Sequence, residues 1–160
     1  MTENKIILIT RKTRLDEIIV KFNTLDQAKF YIEHLGSDFQ TYQEEDQVYK
    51  RSVSFVEKEL KKLGRLQIVE RTYLPNFSFG KEDIIVVIGQ DGLVANSLKY
   101  LDEQSVIAIN PDPSRWDGIL LPFQPDDIKK IVPEVFNNER DYEEITFAKA
   151  SLQDGQHIYG

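Results

Sequence analysis

Three short runs dominate the hydrophobic pattern: residues 6 to 9 (Ile-Ile-Leu-Ile), 84 to 88 (Ile-Ile-Val-Val-Ile) and 106 to 109 (Val-Ile-Ala-Ile). Each is continuous and mostly β-branched, as expected of strands covered on both faces in a parallel sheet flanked by helices. Residues 66 to 73 alternate more and suit a strand nearer an edge. Between these runs the spacing changes to threes and fours. Thr24 and Gln27 have capping-box spacing, Leu25, Ala28, Ile32 and Leu35 share a helical face, and Gly36 stands where a C-terminal cap belongs. Tyr49, Val53, Val56, Leu60 and Leu63 form a second stripe closed by Gly64, and Val94, Leu98 and Leu101 form a third after Asp91-Gly92. Pro125 suits a first helical turn ahead of Ile128, Ile131 and Val135, with Pro133 expected to kink or shorten that helix.

Strand alternating with helix predicts an α/β fold over residues 1–142, a Rossmann-like, doubly wound, mostly parallel sheet. The connection from about residue 11 to 64 holds two helices where one crossover helix would do, so part of it reads as an insertion or lid. The last residues change character. Ile145, Phe147 and Ala148 lead through Leu152 to Asp154-Gly155, a short hairpin signal, and on to Gln156-His157-Ile158-Tyr159. This predicts the start of a second, all-β domain over residues 143–160, and a chain that is a fragment of a longer protein.

Composition narrows the function classes. With 41% apolar residues, the 160-residue chain has material for one real core. Its 20 Lys+Arg against 27 Asp+Glu give a net charge of −7, which argues against nucleic acid or an anionic membrane as partner. Lys58, Lys61, Lys62 and Arg65 are interleaved with Glu57 and Glu59 and read as a solvated helix face. No cysteine is present, so disulfides, thiolate nucleophiles and thiolate metal sites are excluded. That absence suits a reducing cytoplasm. The apolar run after Met1–Lys5 is too short for a secretory core or a membrane span, and a cytoplasmic protein is expected. His34 suits the end of its helix, and His157 lies far away, so no metal-site spacing exists. Tyr31, Tyr42, Tyr49 and Phe55 fall at helical positions and read as core or interhelix packing.

The candidate chemistry lies in residues 83 to 96, DIIVVIGQDGLVAN. A buried strand delivers Gly89, Gln90, Asp91 and Gly92 to its carboxyl end just before a helix, where ligands bind in open α/β sheets. Glycines there let a phosphate approach the backbone, and free N–H groups at the helix start attract anions. Asp91 complicates a phosphate cradle unless it binds Mg²⁺ or accepts a proton from an attacking hydroxyl. The alternative is a plain strand-to-helix turn with Asp91 as the helix cap. The pattern is neither a Walker A loop nor a G-x-G-x-x-G fingerprint. After the next buried strand, Asn110-Pro-Asp-Pro-Ser-Arg-Trp-Asp-Gly118 returns to the same sheet edge. Asn110, Asp112, Arg115 and Asp117 then lie near the first loop, with Arg115 able to grip phosphate bidentately. The alternative here is a proline-stiffened turn with an Arg–Asp surface pair. Trp116 either packs over the loop or stacks on a ligand base; Lys99 reads as a solvent-facing helix residue.

These residues carry a resemblance. IGQDG before a helix, then a buried strand ending in Asn and a loop to Asp-Gly, resembles the amino-terminal domain of the NAD kinase family, related in fold to diacylglycerol kinases and phosphofructokinases. NPDPSRWDGILLPF is most similar to the mitochondrial-type branch. The likeness is specific over residues 83 to 123. It implies an ATP-dependent phosphotransferase acting on a nucleotide hydroxyl such as the NAD 2′-hydroxyl, with Mg²⁺ carried by the nucleotide rather than held by a dedicated protein site. The family motif is Gly-Gly-Asp-Gly-Thr. By position, Asp91 is the aspartate that activates the hydroxyl, Gly89 and Gly92 face ATP phosphates, and Asn110 matches the asparagine ending the next strand. Gln90 and Leu93 depart from the motif, replacing a glycine and the threonine. The resemblance also implies a homo-oligomer. A sugar or lipid kinase of the same fold, or a noncatalytic nucleotide-binding or assembly module, are the alternatives.

Overall fold

The computed structural model describes residues 5–160. The three continuous runs become β1 (Lys5–Thr10), β3 (Ile84–Ile88) and β4 (Val106–Ile109), and the alternating stretch becomes β2 (Arg65–Glu70). All four pair in parallel in the order β2-β1-β3-β4, so β2 is an edge strand, as its pattern predicts. It stops at Glu70 rather than Tyr73. There the Glu70 carboxylate accepts the Thr72 N–H (3.3 Å), starting a 3₁₀ helix over Arg71–Asn76. On the opposite edge Phe123 adds a single parallel bridge to Ile109.

Burial on both faces explains the continuous runs. Ile6, Leu8, Val86, Ile88, Ile107 and Ile109 meet one helical layer, built from α3 (Phe39–Leu63) and α5 (Ile128–Phe136). Ile7, Ile9, Ile85, Val87 and Ala108 pack on the other face under α4 (Asp91–Leu98) and the buried Leu74 of the 3₁₀ helix. The fold is thus α/β, a four-stranded parallel sheet with helices on both sides.

The long connection after β1 holds three helices rather than two: α1 (Arg14–Phe22), α2 (Leu25–His34) and α3. The unexpected α1 opens with a capping box. Thr13 Oγ1 accepts the Asp16 N–H (3.1 Å), and the Asp16 carboxylate accepts the Thr13 N–H (3.3 Å). Thr24 Oγ1 caps α2 through Gln27 N–H (3.1 Å). The third helix runs for 25 residues from a cap at Asp38, ten residues before the stripe that signals it. Leu15, Ala28 and Ile32 form a small core of their own with Ile18, Ile19, Phe39 and Tyr42, and no sheet residue belongs to it. This core is separate from the two that cover the sheet. The last predicted helix passes through Pro133 and ends three residues later, so the proline does not stop it. Leu101, expected on the α4 stripe, lies in the turn after that helix. The hairpin forms as β5 (Lys149–Ser151) and β6 (His157–Tyr159), antiparallel, with Gly155 at φ +88° in its turn.

One side chain joins the layers at the carboxyl ends of the strands. Gly89 N–H donates to Ile109 (3.3 Å) and therefore faces β4, so the carbonyl of Ile88 faces β1. Extending the register from the pair of Ile9 with Val87 would bring Arg11 N–H against that carbonyl. Tyr49 of α3 takes the place of this rung. Its hydroxyl accepts the Arg11 N–H (3.0 Å) and donates to Ile88 O (2.9 Å). Ser52, nearly one turn on, donates to the Pro111 carbonyl just beyond β4 (2.9 Å). One side of α3 thus fastens three strand ends.

Removing the Tyr49 hydroxyl leaves a buried donor and a buried acceptor without their shared partner. Tyr49→Phe is expected to lower unfolding free energy by about 1–3 kcal/mol, measured by urea denaturation. Stability equal to the parent would show that the rung simply re-forms between the strands.

Candidate functional site

The strand order moves outward from β1 to β2, then crosses back to β3 and on to β4. Such a reversal opens a crevice outside the carboxyl ends of the strands on either side of it, here β1 and β3. The Tyr49 hydroxyl stands at that point. Burial pushes the phenol up to about 12 despite the Arg11 amide and charge that favour ionisation, so the hydroxyl keeps the proton it gives to Ile88.

Gly89 is buried, and a side chain crowds the place where its Cβ would stand. A Cβ there would lie 2.6 Å from Leu93 Cδ2, so Leu93 fills the space beside the turn. Gly92 is exposed, with nothing within 4 Å of where its Cβ would stand. Gln90, not Asp91, is the cap residue of α4. Its carbonyl receives the Leu93 and Val94 N–H groups (2.9 and 3.2 Å), while its side chain makes no cap bond. The amides of Asp91 and Gly92 have no partner among the described residues.

Asp91 turns towards the loop after β4. Its Oδ1 accepts the Leu120 N–H (2.8 Å) and its Oδ2 the Ile119 N–H (3.3 Å). This bond pair joins the two loops that the sequence places at one edge. Within the second loop, Asn110 is 4% exposed and serves as a brace. Its Oδ1 accepts the Asp112 N–H (3.0 Å) and its Nδ2 donates to the Trp116 carbonyl (2.8 Å). Gly118 lies at φ +64°, and a Cβ there would fall 2.5 Å from Asn110 Nδ2.

Asp112 accepts from Ser114 Oγ (2.6 Å) and Arg115 Nε (3.1 Å). Burial alone would raise its carboxyl, but these hydrogen bonds and the guanidinium outweigh it and hold the group below the ordinary range. The Arg–Asp pair is therefore present, and Arg115 is directed at Asp112 rather than at the Gly89–Gly92 turn. Asp117 is exposed and has no hydrogen-bond or ionic partner among the described residues. Trp116 is half-buried. Asp91 is thus the one predicted residue that bridges the loops by a hydrogen bond, while Asn110, Asp112 and Arg115 organise their own loop.

A second polar group was not singled out from sequence. Thr13 Oγ1 donates to Asp46 Oδ1 (2.6 Å), Arg14 Nε to the buried Glu45 (2.7 Å), and Lys50 Nζ lies between Asp46 (2.8 Å) and Asp16 (2.9 Å). Desolvation opposes the Lys50 charge, but its bonds to Asp46 and Asp16 prevail and raise its pKa. The Arg11 guanidinium stacks over the Tyr49 ring at 4.6 Å. The spacing 45, 49, 53, 56 continues the apolar stripe of α3 backwards, which is the signal that buries Glu45.

Among the described residues no three His, Cys, Asp or Glu side chains are grouped to hold a metal ion, and no helix is long and apolar enough to cross a membrane. No family model matches the chain, and no curated protein does.

Gly118→Ala should force an L side chain into the left-handed region and against Asn110. The expected cost is about 1–3 kcal/mol in urea denaturation, with altered emission from Trp116, the single tryptophan. Unchanged stability and emission would mean that the loop relaxes freely.

Proposed function

We propose that this chain is the nucleotide-binding domain of an NAD kinase-like, ATP-dependent phosphotransferase, on a Rossmann-like doubly wound sheet, with the hairpin at 149–159 opening an all-β domain. The observation that carries this reading is the Asp91 bridge. The turn after β3 and the loop after β4 leave the same end of a parallel sheet, and one carboxylate fastens them together.

Two contacts of Asp91 support a carboxylate standing beside a phosphate. Two backbone N–H groups receive the Asp91 charge, and the Asp91 and Gly92 amides at the start of α4 are left for an anion. A carboxylate has about four acceptor directions, so two remain for a ribose hydroxyl. In this mechanism Asp91 accepts the hydroxyl proton, the open space over Gly92 admits phosphate, and magnesium arrives with ATP. Catalysis rests on positioning and electrostatic stabilisation.

A noncatalytic nucleotide-binding module is the second reading. It is favoured by Leu93, which occupies the space beside Gly89 and brings no hydroxyl.

An amide NMR titration with Mg-ATP and, separately, NAD tests the site. Shifts confined to residues 89–96 and 110–118 are expected. No shift at millimolar ligand would reject the reading. Binding without ATP consumption in the presence of NAD would select the noncatalytic module.

A further inference from the structure

The stretch from Asp117 to Leu120 is tied to the body of the protein in an unusual way. Among the described residues, its only hydrogen bonds to residues outside its own loop are the two that Ile119 and Leu120 give to Asp91. Upstream, the Asn110 side chain holds the Trp116 carbonyl; downstream, Leu121 N–H returns to Gly118 O (3.0 Å) within the loop. Gly118, in the left-handed region, is a natural pivot between those fixed points. Apolar packing secures only the downstream end of the stretch: Ile119 is 87% exposed and Asp117 is exposed, while Leu120 is half-buried against the core beneath α4 and Leu121 is fully packed there.

We infer that residues 117–120 form a latch whose bolt is the Asp91 carboxylate, and that a nucleotide hydroxyl reaching Asp91 loosens it. This rests on the reading of the α4 amino-terminal turn as a nucleotide site. The carboxylate is common to both events. A hydroxyl donor takes one of the remaining acceptor directions and draws on the same negative charge, which weakens the Ile119 and Leu120 bonds, so site occupancy and loop closure are linked through one group. Linkage is reciprocal, so a weakened latch must alter nucleotide affinity as well. Asp112, Arg115 and Trp116 lie upstream of the latch and are held by their own loop's bonds, so release is confined to residues 117–120.

The test is amide hydrogen exchange by NMR on the whole 160-residue chain, with NAD as the hydroxyl probe and NADP as the probe whose 2′-oxygen is phosphorylated. Saturating NAD is expected to shift Gly89 and Gly92 and to speed exchange at Ile119 and Leu120 by about tenfold, with NADP having less effect on exchange. Without ligand, Asp91→Asn should speed the same two amides while Val86 and Val87 in the sheet stay protected, which verifies that the variant is folded. Shifts at Gly89 and Gly92 with unchanged exchange at Ile119 and Leu120 would overturn the latch and leave the nucleotide site standing. Unchanged exchange in Asp91→Asn would also overturn it. No response to NAD anywhere would overturn the nucleotide reading and the latch together.

Discussion

A single hydroxyl, that of Tyr49, occupies the place of a backbone rung between β1 and β3. The constraint behind it is general: a buried N–H and a buried carbonyl must each find a partner. Where two parallel strands part to open a crevice, their last inward-facing groups lose each other. A tyrosine delivered from the covering helix satisfies both while holding the strands apart. Much follows from that contact. It fixes the height of α3 on the sheet, and so places Ser52 against Pro111 and the Val56–Leu60 face over Ile6 and Leu8.

The same helix carries two separate cores. Its later turns belong to the sheet, whereas Phe39 and Tyr42 in its first turns belong to the small cluster with α1 and α2. Between the two lies the charged group of Arg11, Thr13, Arg14, Glu45 and Asp46, packed around the start of α1. Burying charges is costly unless they are paired; here Glu45 pairs with Arg14 and Arg11, while Arg11 Nε and Glu45 Oε1 have no hydrogen-bond partner among the described residues, and the pairing joins the α1 start to the end of β1. The helices after β1 are therefore linked to the strand ends through α3 and through the loop after β1.

How much of this could be read from sequence differs by level. The strands β1, β3 and β4 were legible because burial on both faces writes itself as an uninterrupted apolar run. The edge position of β2 was legible from its alternation. The first helix went unread, although Leu15, Ile18, Ile19 and Phe22 have helical spacing behind Thr13; Leu15, Ile18 and Ile19 pack on a satellite core rather than on the sheet. At the candidate site the sequence located the two loops on one edge. It could not show that Leu93 crowds the space beside Gly89, nor that Asp91 reaches the Ile119 and Leu120 amides, since the first depends on how the turn packs and the second on how distant segments meet. Tyr49 illustrates the same limit. It reads as a core aromatic, which it is, but the role of its hydroxyl depends on a strand register that no local pattern contains.

The most direct measurement of the central contact is an alkaline titration followed by NMR on tyrosine labelled with ¹³C at the ring carbon bearing oxygen. The chain has seven tyrosines, and the Tyr49 resonance is assigned by its loss in Tyr49→Phe. A hydroxyl buried between Arg11 and Ile88 should titrate at about 12, well above the ordinary 10.0. Titration of Tyr49 at the ordinary 10.0 would mean that its hydroxyl is open to water and that the strand ends are held some other way.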